Sequence, residues 1–483
     1  MKETWSTSAG LDLHLELSGT RPRAALESAL REAVRGGRLE AGTALPSSRA
    51  LAADLGVARN TVADAYAQLI AEGWLAARHG SGTWVAEHAR RVPRASPAGV
   101  AGPGRPARYD LRPGRPDASA FPRADWLAAY RRALTRAPAS DLGSYTAVRG
   151  PAVLRAALAE YLARARGVSV TADRVIVCAG FTQGLELLCD LLRNSAARTL
   201  AVEAYGHQAH RDVASAAGLK LASVPVDGRG AVLAAVLADG GVAPDAGALM
   251  LTPAHQYPLG AVLAPQRRRQ AVDWAARTGG FVIEDDYDGE FRYDRQAVGA
   301  LQALAPEQVV YAGTASKSLV PGLRLGWLVL PEHLVDEVAR IKRTSGRLSS
   351  SLDQLALAEF ISSGRYDRQV RRARLAYRQR RDRLISALGR HVPEVSVSGI
   401  AAGLHVVVRL PPGVSEDDVT SRAAASGLAL HGLATCRAGG QDLGPALIVG
   451  YGTPPGHAVS TAVARLCAVL RQAIDDRASS RPG

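Results

Sequence analysis

Residues 309–327 read VVYAGTASKSLVPGLRLGW, and this stretch decides how the rest of the chain is read. It begins as a short apolar run, Val309-Val310-Tyr311, and then delivers Thr314, Ser316, Lys317 and Arg324 within eleven residues. Lysine, two hydroxyls and an arginine at the end of a strand supply the parts for one Schiff base and one phosphate clamp. The lysine stands out against its background. Of 59 basic residues only four are lysines, Lys2, Lys220, Lys317 and Lys342, and the other 55 are arginines. A lysine kept in such a chain points to a task that arginine cannot perform, and forming a Schiff base is one such task.

Working outward, the same rhythm of apolar run, turn and helix repeats from Ser144 onward. The runs are Val175-Ile176-Val177, Leu200-Ala201-Val202, Leu249-Met250-Leu251, Phe281-Val282-Ile283 and Leu328-Val329-Leu330. Continuous apolar strands alternating with helical patterns predict an α/β domain around a mostly parallel sheet covered on both faces. On such a sheet ligands bind beyond the carboxyl ends of the strands. After the first run comes Ala179-Gly180-Phe181-Thr182-Gln183-Gly184, opening a helix whose free amides suit a phosphate, although many such turns are glycine-rich for packing alone. After the fourth comes Glu284-Asp285-Asp286-Tyr287-Asp288, where one carboxylate can pair with a protonated ring nitrogen. A metal at this cluster lacks further ligands, and no metal is expected.

The first 88 residues carry a different pattern. Apolar Leu26, Leu30, Ala33 and Val34 predict a helix ending at Gly36-Gly37, and Ser47 and Ser48 cap a second carrying Leu51, Ala52 and Leu55. A third runs from about Asn60 to Glu72, after a glycine-containing turn of helix-turn-helix spacing. Strands Trp74–Arg78 and Thr83–Val85 flank the tip His79-Gly80-Ser81-Gly82, which completes a winged helix-turn-helix. Arg59, Asn60 and Thr61 at the start of the third helix, with Arg49 behind them, suit base edges and phosphates in a major groove. A small helical module that binds protein, its polar residues merely solvated, remains open on chemistry alone, because residues 11–88 hold eight arginines against nine acids. Residues 89–108, with five arginines, no acid and many Pro and Gly, read as a flexible basic linker. The expected organisation is therefore 1–88, 89–108 and 109–483.

Whole-chain properties set the outer bounds. The 483 residues exceed what one core usually supports, and 47% hydrophobic with 22% charged residues excludes collagen-like, coiled-coil and wholly disordered classes. No apolar stretch is long enough to span a membrane and the first ten residues lack the core of a signal peptide, so a cytoplasmic protein is expected. Cys178, Cys189, Cys436 and Cys467 are too scattered for a zinc site or a disulfide scaffold and read as buried thiols. The formal charge of +14 is concentrated partly in 365–383, which reads as a solvated helix face.

Two resemblances sharpen these readings. LPSSRALAADLGVARNTVADAYAQLIAEGWLAARHGSGTWV resembles the winged helix of the GntR family of bacterial transcription regulators, which implies DNA contacts from Arg49, Arg59, Asn60, Thr61, His79 and Gly80. The segments YTAVRG, TPAHQYPLG, EDDYDGEFRYDR and TASKSLVPGLRLGW resemble the fold-type I aminotransferases, whose cofactor is pyridoxal 5′-phosphate (PLP). That likeness implies a large PLP domain with a smaller C-terminal α+β subdomain. By matching motifs, Lys317 would form the internal aldimine, Asp285 would face the pyridine nitrogen and Tyr287 would bond the ring hydroxyl. Phe181, Thr182, Thr314, Ser316 and Arg324 would hold the phosphate, and Tyr145 would reach the site of a partner subunit. The fused order is similar to the MocR/GabR regulators, which implies a head-to-tail homodimer, a double-stranded DNA operator, and PLP or an amine or amino acid as effector.

Three positions depart from the enzyme pattern. Tyr257 stands where the asparagine that bonds the cofactor's ring oxygen is usual, and Ile448 stands where the carboxylate-binding arginine is usual. For the ring-stacking aromatic, His207 is in register, with Tyr205 the alternative two residues earlier. Retained cofactor residues with a missing substrate clamp favour a sensor over a working enzyme, with slow half-transamination still open. The alternatives are a true aminotransferase carrying a DNA-binding module, and a relic fold in which Lys317 is an ordinary surface lysine.

Overall fold

The computed structural model describes residues 5–6, 13–14, 22–78, 82–87, 107–140, 147–234, 243, 245–293, 298–346 and 348–479. The expected linker lies outside this set except for residues 107 and 108, as do His79, Gly80 and Tyr145. The chain divides into two units, Met1–Arg105 and Pro106–Gly483.

In the first unit, α1 (Pro22–Arg35) buries Leu26, Ala29, Leu30, Ala33 and Val34, the stripe that a period of 3.6 residues places on one face. Helix α2 (Ser48–Leu55) is capped by the Ser47 hydroxyl, which accepts from the Ala50 amide, and ends at Gly56 in the left-handed conformation. Helix α3 (Arg59–Ala71) starts one residue earlier than the sequence pattern indicates and buries Val62, Ala65, Tyr66 and Leu69. The strands β1 (Ala44–Leu45), β2 (Leu75–Arg78) and β3 (Gly82–Val85) form an antiparallel sheet in the order β1-β3-β2. Strand β1 is too short to leave a period-2 signal, which is why the sequence reading missed it. The Tyr66 hydroxyl donates to the Pro46 carbonyl at 2.9 Å and ties α3 to the entry of α2.

The second unit is built on seven strands: β4 (Val175–Cys178), β5 (Thr199–Glu203), β6 (Lys220–Val224), β7 (Ala246–Leu251), β8 (Phe281–Asp286), β9 (Val309–Thr314) and β10 (Gly326–Val329). Their order is β4-β10-β9-β8-β7-β5-β6, parallel except for β10, which runs antiparallel to both neighbours. Alternate residues of β4 enter two different cores. Val175 and Val177 pack with Leu158, Tyr161 and Phe360, whereas Ile176 and Cys178 pack with Leu185, Leu188 and Val338. Burial on both faces explains the uninterrupted apolar runs. Edge strand β6 is half exposed and reads KLASV, so it offered no such run.

A smaller subdomain pairs β11 (Ser396–Ser398), β12 (His405–Arg409), β14 (Ala446–Gly450) and β13 (His431–Gly432) in that antiparallel order. Its core joins Val406, Val408, Leu447 and Val449 to Tyr377, Leu384, Leu466 and Leu470 of two long helices. One of these, Arg365–His391, carries the arginine-rich segment. Most of its arginines face solvent as the sequence suggested, but Arg380 is a correction. It is 8% exposed, pairs with Asp117 at 2.6 Å and donates to the carbonyls of Gly452 and Pro454. All four cysteines are free and buried. No helix among the described residues is long and apolar enough to cross a membrane, and none of their His, Cys, Asp and Glu side chains cluster as metal ligands.

Candidate cofactor site and DNA-facing helix

The carboxyl ends of β4, β5, β7, β8 and β9 converge on a cavity of about 320 Å³. Its lining includes Phe181, Thr182, His207, Tyr257, Asp285, Tyr287, Thr314, Ser316, Lys317 and Arg324, the ten described residues that the sequence singled out for the cofactor. The strand reading had set Asp285 beyond its strand, but β8 continues through Asp286.

One end of the cavity is built for an anion. Gly180, at φ +79°, turns the chain from β4 into helix α4 (Phe181–Arg193) without a side-chain cap, so the first amides of α4 remain available. A Cβ on Gly180 would sit 3.6 Å from the Arg324 guanidinium, and the positive φ also favours glycine there. Arg324 is itself left-handed, at φ 51°, and its guanidinium has no hydrogen-bond or ion-pair partner among the described residues. Thr314 and Ser316 lie beside it, their hydroxyls 2.9 Å apart.

The other end is arranged for a ring. Asp285 is 5% exposed, and burial drives its carboxyl well above the ordinary range while Lys317 opposes the rise. His210 Nδ1 lies 3.9 Å from its carboxyl, which has no hydrogen-bond partner among the described residues. A buried carboxyl of this kind is relieved by a cationic ring N–H. Lys317 projects from just beyond β9 and donates to the Gly114 carbonyl. Burial lowers its pKa, Asp285 and Asp288 raise it, and Arg115 lowers it again. A lysine with lowered pKa holds more of the nucleophilic neutral amine. These features fit PLP: a phosphate cradle, a carboxylate for the ring nitrogen, and an amine lining the same cavity.

The aromatic positions separate cleanly. His207 lines the cavity and stacks on His210 at 4.8 Å, with burial lowering the pKa of both. Tyr205 is 1% exposed in the core, and its hydroxyl lies between the Gln441 carbonyl and the Leu443 amide. Tyr287 donates its hydroxyl to the His255 carbonyl at 3.1 Å, in a buried group where His255 Nδ1 lies 2.9 Å from Asp288. Tyr257 stands edge-on to Tyr287 at 5.9 Å, with Cys436 Sγ 4.0 Å from its hydroxyl. Ile448 is wholly buried in β14 against Val407, Leu433 and Tyr205.

Sequence reasoning missed His210, Glu203 and Arg115, which also line the cavity. His210 follows His207 by one helical turn and was legible from that spacing. Glu203 closes an apolar strand, and its carboxyl accepts from the Thr252 hydroxyl at 2.5 Å. Burial pushes Glu203 up to about 7, with Thr252 opposing. Because the folded-state value lies above the ordinary 4.5, its contribution is full below about 4.5 and is lost as pH rises through about 7. Glu203→Gln is therefore expected to gain stability over the parent between about pH 5 and about pH 8, by up to roughly 3 kcal/mol. Denaturant unfolding at the two pH values checks this, and an equal difference at both contradicts it.

In the first unit, Arg49, Arg59 and Asn60 are exposed or partly so and Thr61 is half-buried. Ala58 gives α3 no side-chain cap. The start of α3 thus offers the exposed side chains of Arg59 and Asn60 to solvent, an arrangement suited to base edges and phosphates.

Comparison with known proteins follows these two units. Residues 117–431 match the model of aminotransferase class I and II, and residues 22–85 match that of bacterial regulatory proteins of the gntR family. Over 82% of the chain, and 83% of the relative, the sequence is 35% identical to the probable rhizopine catabolism regulatory protein MocR of Rhizobium meliloti. Over 89% of the chain, and 91% of the relative, it is 32% identical to the HTH-type pyridoxine biosynthesis transcriptional regulator PdxR of Corynebacterium glutamicum. Among solved structures, the α-aminoadipate aminotransferase LysN of Thermus thermophilus, complexed with N-(5′-phosphopyridoxyl)-L-leucine, superposes with a TM-score of 0.67. It is 25% identical, and the match covers 76% of this chain and 92% of that one.

Proposed function

Because the chain belongs to the MocR-type transcription regulators, a gntR-family DNA-binding domain fused to an aminotransferase class I and II domain, we propose that it senses PLP, alone or with an amine effector, at Lys317 and converts occupancy into altered DNA binding. The cofactor is PLP, which when bound supplies an aldehyde able to condense with a primary amine. The observation that carries the reading is that one cavity is lined by Lys317, by an Arg324 guanidinium with no partner among the described residues, and by a buried Asp285 whose charge Lys317 opposes. Arg324, Thr314, Ser316 and the amides of Phe181 and Thr182 hold the phosphate. Asp285 keeps the ring nitrogen protonated, His207 covers the ring, and Tyr257 and Tyr287 close the cavity wall.

Ile448 favours sensing over turnover. Without a guanidinium fixed on that buried strand, the rigid positioning of substrate that a proton transfer needs is missing, whereas a sensor needs only different affinities in two states. A slow half-transamination remains compatible with Lys317, and sustained turnover of an amino donor and keto acid would favour the enzyme reading instead. A head-to-tail homodimer, with Tyr145 reaching the partner's site, agrees with the exposed Leu127 and Leu134, two helical turns apart on helix Arg123–Arg136. Residues 1–88 act as the DNA-binding domain, 89–108 as the linker and 109–483 as the effector domain.

DNA contacts are assigned to Arg49, Arg59, Asn60 and Thr61, with His79 and Gly80 at the wing. Arg59→Ala and Asn60→Ala are each expected to weaken binding to DNA upstream of the protein's own gene by about 1–3 kcal/mol at fixed salt. Mobility-shift titration measures this, with thermal melting as a control because both side chains are exposed. Unaltered affinity in both variants would remove α3 from the interface.

A further inference from the structure

The cavity carries more positive charge than a phosphate cradle requires. Four lining side chains are Lys or Arg: Lys317, Arg324, Arg211 and Arg115. Arg324 serves the anion end beside Gly180. Arg211 is 5% exposed and committed, donating to the carbonyls of Gly206 and Cys436 at 3.0 Å each and to Gln208 Oε1 at 2.6 Å. Arg115 is different. Its side chain is 58% exposed, and its one ion pair among the described residues is 3.5 Å to Asp110, a carboxylate that Arg112 already holds at 2.7 Å.

The backbone of Arg115 is nevertheless fixed. The Gly450 amide donates to the Leu111 carbonyl at 2.7 Å, and the Thr453 hydroxyl donates to the Arg115 carbonyl at 3.2 Å. Gly452 permits this approach, since a Cβ there would lie 2.6 Å from the Arg115 carbonyl oxygen. The segment 111–115 is therefore strapped to the end of β14, the strand that carries Ile448. Lys317 donates to the carbonyl of Gly114, the residue immediately before Arg115. An exposed guanidinium on a fixed backbone thus lines the same cavity as the reactive amine and acts on its charge, while the strand position Ile448 is filled by a buried apolar side chain.

We propose that Arg115 selects the effector by binding its carboxylate, so that the preferred ligand of the Lys317 site is a primary amine bearing a carboxylate rather than a plain amine. A guanidinium matches a carboxylate bidentately, and its loose pairing with Asp110 leaves it free to exchange partners. The proposal rests on the reading of the cavity as a PLP-dependent amine sensor and names the chemical class it takes.

The test titrates the PLP-loaded full-length protein, followed by visible absorbance, with a straight-chain amino-carboxylate series and with the matched n-alkylamines. The quantity read is the ratio of the two affinities at each chain length, in the parent, Arg115→Gln and Arg115→Lys. Expected is a preference of about tenfold or more for the carboxylated member at one or more lengths. Arg115→Gln should bring that ratio close to one, and Arg115→Lys should retain part of it. A preference that survives Arg115→Gln, or no preference in the parent at any length, overturns the proposal while leaving the PLP site standing. Failure of the parent to show any Lys317-dependent absorbance overturns both the underlying reading and the proposal.

Discussion

Lys317→Ala is expected to abolish the visible absorbance that PLP confers on the parent protein and, with it, any effect of PLP on DNA binding. Lys317→Arg should fail equally, since a guanidinium keeps its charge and does not form a Schiff base at neutral pH. The fold should survive both changes, because the described side chain makes a single hydrogen bond, to the Gly114 carbonyl. Absorbance after gel filtration with PLP, alongside far-ultraviolet circular dichroism, measures the two effects separately. A variant that still carries PLP as tightly as the parent would show that Lys317 is not the anchor.

Asp286→Ala is expected to cost about 3–5 kcal/mol of stability in the large unit. Asp286 adjoins Asp285 in sequence but has a structural task. Its carboxylate accepts from Arg166 Nε at 2.7 Å and from the Tyr311 hydroxyl at 2.8 Å, and the side chains of the ion pair are 1% and 6% exposed. Removing the acid strands a buried guanidinium. The Arg166→Met, Asp286→Leu double variant should recover most of the loss, because replacing both charges removes their desolvation penalty together. Thermal melting of the three proteins decides this, and a single variant as stable as the parent would contradict it.

These two neighbouring aspartates show how far the sequence could be read. The run EDDYD announced carboxylates at the end of an apolar strand, and alternation along β8 sends Asp285 toward the cavity and Asp286 toward Arg166. Pattern alone does not tell which faces which, because both faces of this sheet are buried. The strands were legible for the same reason, as continuous apolar runs, and the half-exposed edge strand Lys220–Val224 was not. Residues that reach the cavity from the turn or helix start just after a strand, such as Lys317 and Thr182, stand beside a visible landmark. Arg115 does not, since its loop is positioned by hydrogen bonds to Gly450 and Thr453, which lie at the far end of the chain in sequence. Arg380 was misread as solvated because a helix rich in arginine hides the one that meets a buried acid, Asp117.

The central claim is that occupancy of the Lys317 site changes DNA binding. Its most direct test is a set of binding isotherms for the full-length protein on DNA upstream of its own gene, at one fixed salt concentration, without PLP, with PLP, and with PLP plus amino-carboxylates. Salt must be held constant because phosphate contacts make affinity steeply salt-dependent. The expected result is an isotherm that shifts with PLP or with PLP plus amine in the parent and does not shift in Lys317→Ala. Isotherms that superimpose under all three conditions in the parent, with PLP demonstrably bound, would contradict the sensor reading.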